Sequence, residues 1–278
     1  MALHRLLTVG RRLVLAAFVV SVFFVATQEF QIFPGLLDSR LSGPLPTPPK
    51  GIDVLTTTSS DGAPVVVWRM KAPDDPKRVA LIFHGNAERL STFTRAQRWL
   101  ASKGISTYAM EYRGYNGWNS GWPSEERLYA DAEAAFELMR RTERIEPQDA
   151  VVLGSSIGTG IASHIAMKFH PKALVLLSPY TSLKDVVGEL PYLGFLSPFL
   201  WYQFPSLENI ATLRETCVVV AHGHRDTVIP FHHSTQLRDA YRGSGTFSLI
   251  ESAEAGHNDI LAHTSDRITA AISECFPS

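Results

Sequence analysis

The chain has 278 residues, of which 45% are hydrophobic, so it can bury a sizeable core, and α/β folds of this length are often one domain. With 26 Lys and Arg against 27 Asp and Glu the formal net charge is −1, which excludes the basic footprint of a nucleic-acid binder. No P-loop, dinucleotide glycine fingerprint or internal repeat is present.

At the N-terminus Arg5, Arg11 and Arg12 precede an apolar run of about 15 residues, 13–27. Positive charge ahead of such a run fits a signal anchor or a signal peptide. The run is shorter than the roughly 20 residues of a comfortable spanning helix, and residues 3–8 and 30–33 extend it only across charged breaks. No small-x-small cleavage site closes it. The expectation is an uncleaved single-pass anchor over residues 1–30. A cleaved signal peptide, giving a secreted or periplasmic product, and a soluble packed helix are the alternatives. The positive-inside rule puts the arginines in the cytoplasm and the rest on the non-cytoplasmic side. Residues 31–50 read as a Pro-rich spacer, stiffest over 43–49, and residues 51–278 as the folded domain.

Strands at 54–57 and 65–70 flank Ser59-Ser60-Asp61-Gly62, a hairpin signal. The apolar run 79–83 predicts a third strand, ending in His84-Gly85-Asn86-Ala87. His84 reads as a strand-end histidine held by hydrogen bonds, not a proton carrier. Residues 92–102 read as a helix and 105–110 as a strand. Ser124 can cap a helix running to about residue 141, with Glu125 and Glu126 in its first turn, favourable against the helix dipole. Leu128, Ala132, Ala135, Phe136 and Met139 recur along it at helical spacing and read as core.

The apolar strand pattern Ala150-Val151-Val152-Leu153 runs into Gly154-Ser155-Ser156-Ile157-Gly158, and residues 159–169 are helix-compatible. G-x-S-x-G between strand and helix is the context of a nucleophile elbow, the glycines leaving room around a strained residue. Ser156 is the candidate nucleophile. The backbone N–H groups of Ile157 and Asn86 are the candidate oxyanion donors, with Ala87 the alternative to Asn86. His164 and His170, on the following helix, are most simply solvent-facing.

Residues 173–177 predict the next strand, after which residues 180–213 break the alternation. Three prolines stand there among a dense set of aromatic and aliphatic residues, Tyr192 to Phe204 included. Such a cap suggests an apolar acyl pocket or a face resting on lipid; packing on the sheet without touching substrate is the plainer reading. The strand pattern at 216–221 leads to His222-Gly223-His224-Arg225-Asp226, and the last strand, 246–250, to Gly256-His257-Asn258-Asp259. A serine nucleophile needs a base and the base an orienting acid, in the chain order Ser, Asp or Glu, His. His257 is the base and Asp226 the acid. Asp259 is the rival acid, read instead as a helix-start carboxylate. The two cysteines, Cys217 and Cys275, are buried thiols in the simplest reading and a disulfide if the domain is exported. The histidines 222, 224, 232, 233, 257 and 263 lie on separate loops and helix starts, and no metal or other cofactor is expected. Alternating strands and helices imply an α/β fold: a mostly parallel sheet with helices on both faces.

Five segments, His84-Gly85-Asn86-Ala87, Glu111-Tyr112-Arg113-Gly114-Tyr115, the elbow at 154–160, His222-Gly223-His224-Arg225-Asp226 and Gly256-His257-Asn258-Asp259, stand in one order. Over about residues 50–276 the chain resembles a serine hydrolase of the α/β-hydrolase fold, and most closely the membrane-anchored α/β-hydrolase domain-containing proteins and their bacterial relatives. The resemblance implies Ser156, Asp226 and His257 as a catalytic triad acting on esters, thioesters or amides, often of lipid-like acyl groups, with the small cap at about 180–213. It departs from the family over 115–124, which is one residue longer and carries Trp118 and Trp122. The expected function is cleavage of carboxylic esters, small-molecule or lipid, through an acyl-enzyme without a cofactor. A peptidase, a protein depalmitoylase or a non-catalytic membrane-anchored scaffold on the same fold are the alternatives. Oligomeric state is not legible from the sequence.

Overall fold

The structure is a computed structural model that describes residues 2–36, 47–73, 78–86, 88–115 and 121–276. Ala87, residues 116–120 with Trp118, and residues 43–46 of the Pro-rich stretch lie outside the described residues. Eight strands form one sheet: β1 Ile52–Thr58, β2 Pro64–Met70, β3 Arg78–Phe83, β4 Ile105–Met110, β5 Ala150–Ser155, β6 Ala173–Leu177, β7 Cys217–Gly223 and β8 Phe247–Ser252. Their order is β1-β2-β4-β3-β5-β6-β7-β8. β1 and β2 pair antiparallel and β2 pairs antiparallel to β4, whereas β3 to β8 run parallel. The central strands are continuous apolar runs because both their faces are covered, as in parallel sheets generally.

The helices are α1 Ala2–Ile32, α2 Leu90–Ser102, α3 Glu125–Glu143, α4 Gly158–Phe169, α5 Leu183–Gly188, α6 Ser206–Thr212, α7 His232–Ala240 and α8 Ile260–Glu274. One sheet face packs on α3, α4 and α7, the other on α2 and α8. Ser124 caps α3, its Oγ accepting from Arg127 N–H at 3.3 Å, and Leu128, Ala132, Ala135, Phe136 and Met139 are all buried. The cap, α5 with a 3-10 turn and α6, lies between β6 and β7.

Of the two readings open for Cys217 and Cys275, the structure shows the disulfide, which joins the start of β7 to the end of α8. The end of α1 and the residues just after it are in contact with the folded domain. Over Leu7–Ile32 the helix is long and apolar enough to cross a membrane, yet its last turns are docked. Phe24 is buried against Leu196 and Leu200 of the cap. Gln28 Oε1 accepts from Trp201 N–H at 2.9 Å, and Glu29 Oε1 from the Tyr202 hydroxyl at 3.3 Å. Phe33 and Leu36, within the expected spacer, are core residues, Phe33 lying edge-on to Tyr202. An apolar side chain that can reach the core gains about 1.5–3 kcal/mol by burial, more than a free spacer offers.

Candidate active site

The C-terminal ends of parallel strands are where open α/β sheets gather ligands, and three of these ends bring Ser156, Asp226 and His257 together. Ser156 follows β5 in a left-handed conformation, φ +50°, costly for a residue with a side chain. It is held by its own N–H donating to Leu177 O at 3.0 Å and by its carbonyl accepting from Thr159 N–H at 2.9 Å. The flanking glycines are sterically required. A Cβ on Gly154 would collide with the Gly158 carbonyl, and one on Gly158 with the Phe83 carbonyl.

His257 Nε2 lies 3.0 Å from Ser156 Oγ, and Nδ1 lies 2.8 Å from Asp226 Oδ2. Nδ1 facing a carboxylate carries the proton, so Nε2 is free to accept from the serine hydroxyl. Asp226 is fully buried as a side chain. Burial alone would raise its pKa, but hydrogen bonds from His222, His257 and the Ile229 N–H outweigh it and hold the carboxyl well below the usual range. Asp259 stands at the start of α8, but its Oδ1 accepts from Gly256 N–H at 2.7 Å. It therefore closes the turn bearing His257 instead of capping the helix with its side chain or orienting the imidazole.

Ile157 occupies the N-terminus of α4, and among the described residues its N–H has no acceptor. Asn86 lines the cleft beside Ser156, with its Oδ1 accepting from the Tyr115 hydroxyl at 3.1 Å. His84 is fixed below this loop. Its Nδ1 faces Gly85 O at 2.8 Å and its Nε2 faces Glu111 Oε1 at 3.0 Å, an arrangement that favours the protonated ring. Burial opposes that charge, but Glu111 more than offsets it and the pKa is raised.

The cleft has a volume of about 740 Å³ and runs from Ser156 between α2 and α8. Phe93, Ala96 and Trp99 form one wall and Ile260, Leu261 and Ser265 the other, with Val228 at the acid loop. No residue of the cap at 180–213 lines it. Among the described residues, the cleft at Ser156 is thus walled by α2 and α8 and not by the cap. The spacing Phe93, Ala96, Trp99 signals one helix face, which sequence alone reads as core. His222, the second imidazole on Asp226, stands in a motif whose spacing singles out the aspartate and not the histidine. His164 is not solvent-facing: it stacks on Tyr129 at 3.8 Å, and its Nε2 meets Glu133 Oε1 at 2.9 Å. Among the described residues Glu189, His232 and His233 offer ligating atoms within 4.8 Å of one another. They line no part of the cleft, and His232 already pairs with Glu189 at 2.9 Å.

The sheet order, the glycine-flanked serine after β5 and the loops after β7 and β8 define the α/β-hydrolase fold. Solved structures agree. The esterase Pf2001 of Pyrococcus furiosus superposes with a TM-score of 0.64 over 81% of this chain and 89% of its own, at 15% identity. An esterase of Thermogutta terrifontis, Est2, does so with a TM-score of 0.61 over 84% and 94%, at 18% identity. The family described as serine aminopeptidase, S33, matches residues 74–209, a span that stops short of Asp226 and His257. The human α/β-hydrolase domain-containing protein 17B is 30% identical over 210 residues, 75% of this chain and 70% of the relative. An uncharacterized protein of Mycobacterium tuberculosis is 33% identical over 246 residues, 86% and 83% respectively. The chain belongs with these relatives to the α/β-hydrolase family.

Proposed function

We propose that the protein is a membrane-anchored serine hydrolase that cleaves carboxylic esters of lipid-like acyl groups. The observation that carries this is the unbroken line from Ser156 Oγ through His257 to Asp226, at 3.0 and 2.8 Å. His257 takes the hydroxyl proton as Ser156 attacks the carbonyl, and Asp226 holds the tautomer and steadies the imidazolium. The N–H groups of Ile157 and Asn86 bind the developing oxyanion, each donor worth about 3–4 kcal/mol. The protonated His257 then gives its proton to the leaving alcohol, and water, deprotonated by the same imidazole, releases the acid. Phe93, Ala96, Trp99 and Leu261 suit an alkyl chain in the cleft.

An aminopeptidase would need a carboxylate free to hold the substrate amine. Glu88 and Asp259 line the cleft, each held by one oxygen to a backbone N–H, of Gly85 at 2.6 Å and of Gly256 at 2.7 Å. Both serve to close local turns, and the apolar wall of Phe93, Ala96, Trp99 and Leu261 favours the ester. Anchoring by α1, with the domain on the non-cytoplasmic side, is supported by the N-terminal arginines and by the disulfide, a bond of oxidising compartments.

The test is covalent labelling by a fluorophosphonate, wild type beside Ser156→Ala and His257→Ala. Labelling of wild type lost in both variants is the expected result. A folded wild type that does not label would remove the catalytic reading and leave a scaffold.

A further inference from the structure

The cap carries an apolar surface that the cleft does not use. Tyr192 is 96% exposed, Trp201 63%, Phe195 and Phe199 46% each and Leu193 43%. Five exposed large apolar residues within ten positions of one folded segment mark a binding surface more often than bare solvent contact. The other side of the same segment grips α1: Leu196 and Leu200 cover Phe24, and the Trp201 N–H donates to Gln28. One short stretch of chain thus holds the apolar helix with one set of residues and turns aromatic rings outward with the next.

Length decides where those rings lie. The cap takes hold of α1 at Phe24, so the open part of its apolar stretch runs from Leu7 to Phe23, with residues 11–20 exposed throughout. At 1.5 Å per residue that part reaches about 25 Å, against a hydrocarbon core of about 30 Å. Arg11 and Arg12 stand inside it and shorten its apolar reach further. A spanning helix that is too short is matched by local thinning of the bilayer around it, which brings the headgroup layer to the structure at its end, here the cap. Tyr and Trp are the residues that settle at the boundary between lipid and water.

Resting on the anchor reading of α1, we propose that the cap face of Tyr192, Leu193, Phe195, Phe199 and Trp201 lies in the interfacial layer of the bilayer that α1 spans. The domain is then held at two adjoining points, by a spanning helix and by a face pressed into the lipid, and does not swing on its anchor. With α1 in the bilayer, the grip of the cap on Phe24 and Gln28 holds these residues at the membrane end of the helix, where lipid is the surface at hand.

Cys217 and Cys275 are paired, so one added cysteine is a unique free thiol. Full-length Tyr192→Cys, Phe199→Cys, Phe18→Cys and Arg141→Cys are labelled with nitrobenzoxadiazole, checked for the wild-type Tm, and reconstituted in phosphatidylcholine vesicles containing nitroxide-labelled phosphatidylcholine, shallow in one series for 192, 199 and 141 and deep in a second for 18. Phe18 reports on the anchor, and Arg141 on the end of α3 remote from the cap. The expected result is several-fold stronger quenching at 192 and 199 than at 141, with 18 also quenched. Quenching at 18 with 192 and 199 no different from 141 overturns the cap proposal and leaves the anchor standing. No quenching at 18 removes the anchor and the proposal with it. A blue-shifted but unquenched dye at 192 and 199 means that protein, not lipid, covers the face, and overturns the proposal as well.

Discussion

His222 Nε2 lies 3.1 Å from the same Asp226 oxygen that His257 meets. Its Nε2 also faces Ile229 O at 2.9 Å, so it carries the proton and donates, while Nδ1 accepts from the Ser234 hydroxyl at 2.6 Å. With Val228 and Ile229 N–H groups on Oδ1 at 2.9 and 2.8 Å, the carboxylate receives four donors.

Removing that second imidazole tests the arrangement. A hydrogen bond to a charged group is worth about 1.5–3 kcal/mol, so His222→Phe is expected to lower kcat about 10- to 100-fold in an ester assay. The pH dependence moves too. The folded pKa of Asp226 is depressed, so its contribution to stability is present above the unfolded value of about 3.9 and is lost as pH falls toward the folded one. With one donor gone the folded pKa rises, and the drop of Tm on acidification is expected to start at higher pH in His222→Phe.

The raised pKa of His84 has the opposite sign. Its contribution to stability is present below the unfolded value of about 6.5 and is lost as pH rises through the folded one. Glu111→Gln breaks the buried His84–Glu111 pair by removing one partner, expected to cost about 3–5 kcal/mol. Urea unfolding measures the cost, and NMR titration of His84 is expected to show its pKa falling in the variant.

Gly158→Ala is expected to be far worse than an ordinary surface alanine. Its Cβ has no room against the Phe83 and His84 carbonyls, and overpacking of this kind costs about 1–3 kcal/mol. Because those carbonyls lead into the Asn86 loop, fluorophosphonate labelling is expected to slow even where the protein stays folded.

Chain-length preference should track α2, not the cap. Ala96→Phe fills the cleft between Phe93 and Trp99. It is expected to reduce kcat/KM for decanoyl esters by about 10-fold or more, the scale on which a pocket discriminates among apolar groups, while acetyl esters change little. Equal loss on both, or none on either, would place the acyl chain elsewhere.

Much of the fold and site is legible in the residues. β-branched runs mark the parallel strands, and Gly154, Ser156 and Gly158 mark the elbow because few other residues tolerate its sterics. Asp226 and His257 come from strand-end position and chain order. The illegible remainder depends on distances between segments far apart in sequence. The spacing of Phe93, Ala96 and Trp99 is the same for a core stripe as for a cleft wall. The Cys217–Cys275 bond depends on α8 folding back along β7. His164 faces Tyr129 only because α3 and α4 pack side by side. The docking of α1 is hidden for the same reason, since nothing in an apolar helix names the surface that will grip it.

The disulfide also defines a ring. Cys217 and Cys275 are 58 residues apart, and Asp226 and His257 both lie between them, while Ser156 lies outside. A protease that cuts once within this interval leaves two pieces still joined by a covalent bond, with the proposed acid and base both retained on the particle. A cut there is therefore invisible on a non-reducing gel, and damage to the part of the chain that prepares the nucleophile is contained until a reductant opens the ring.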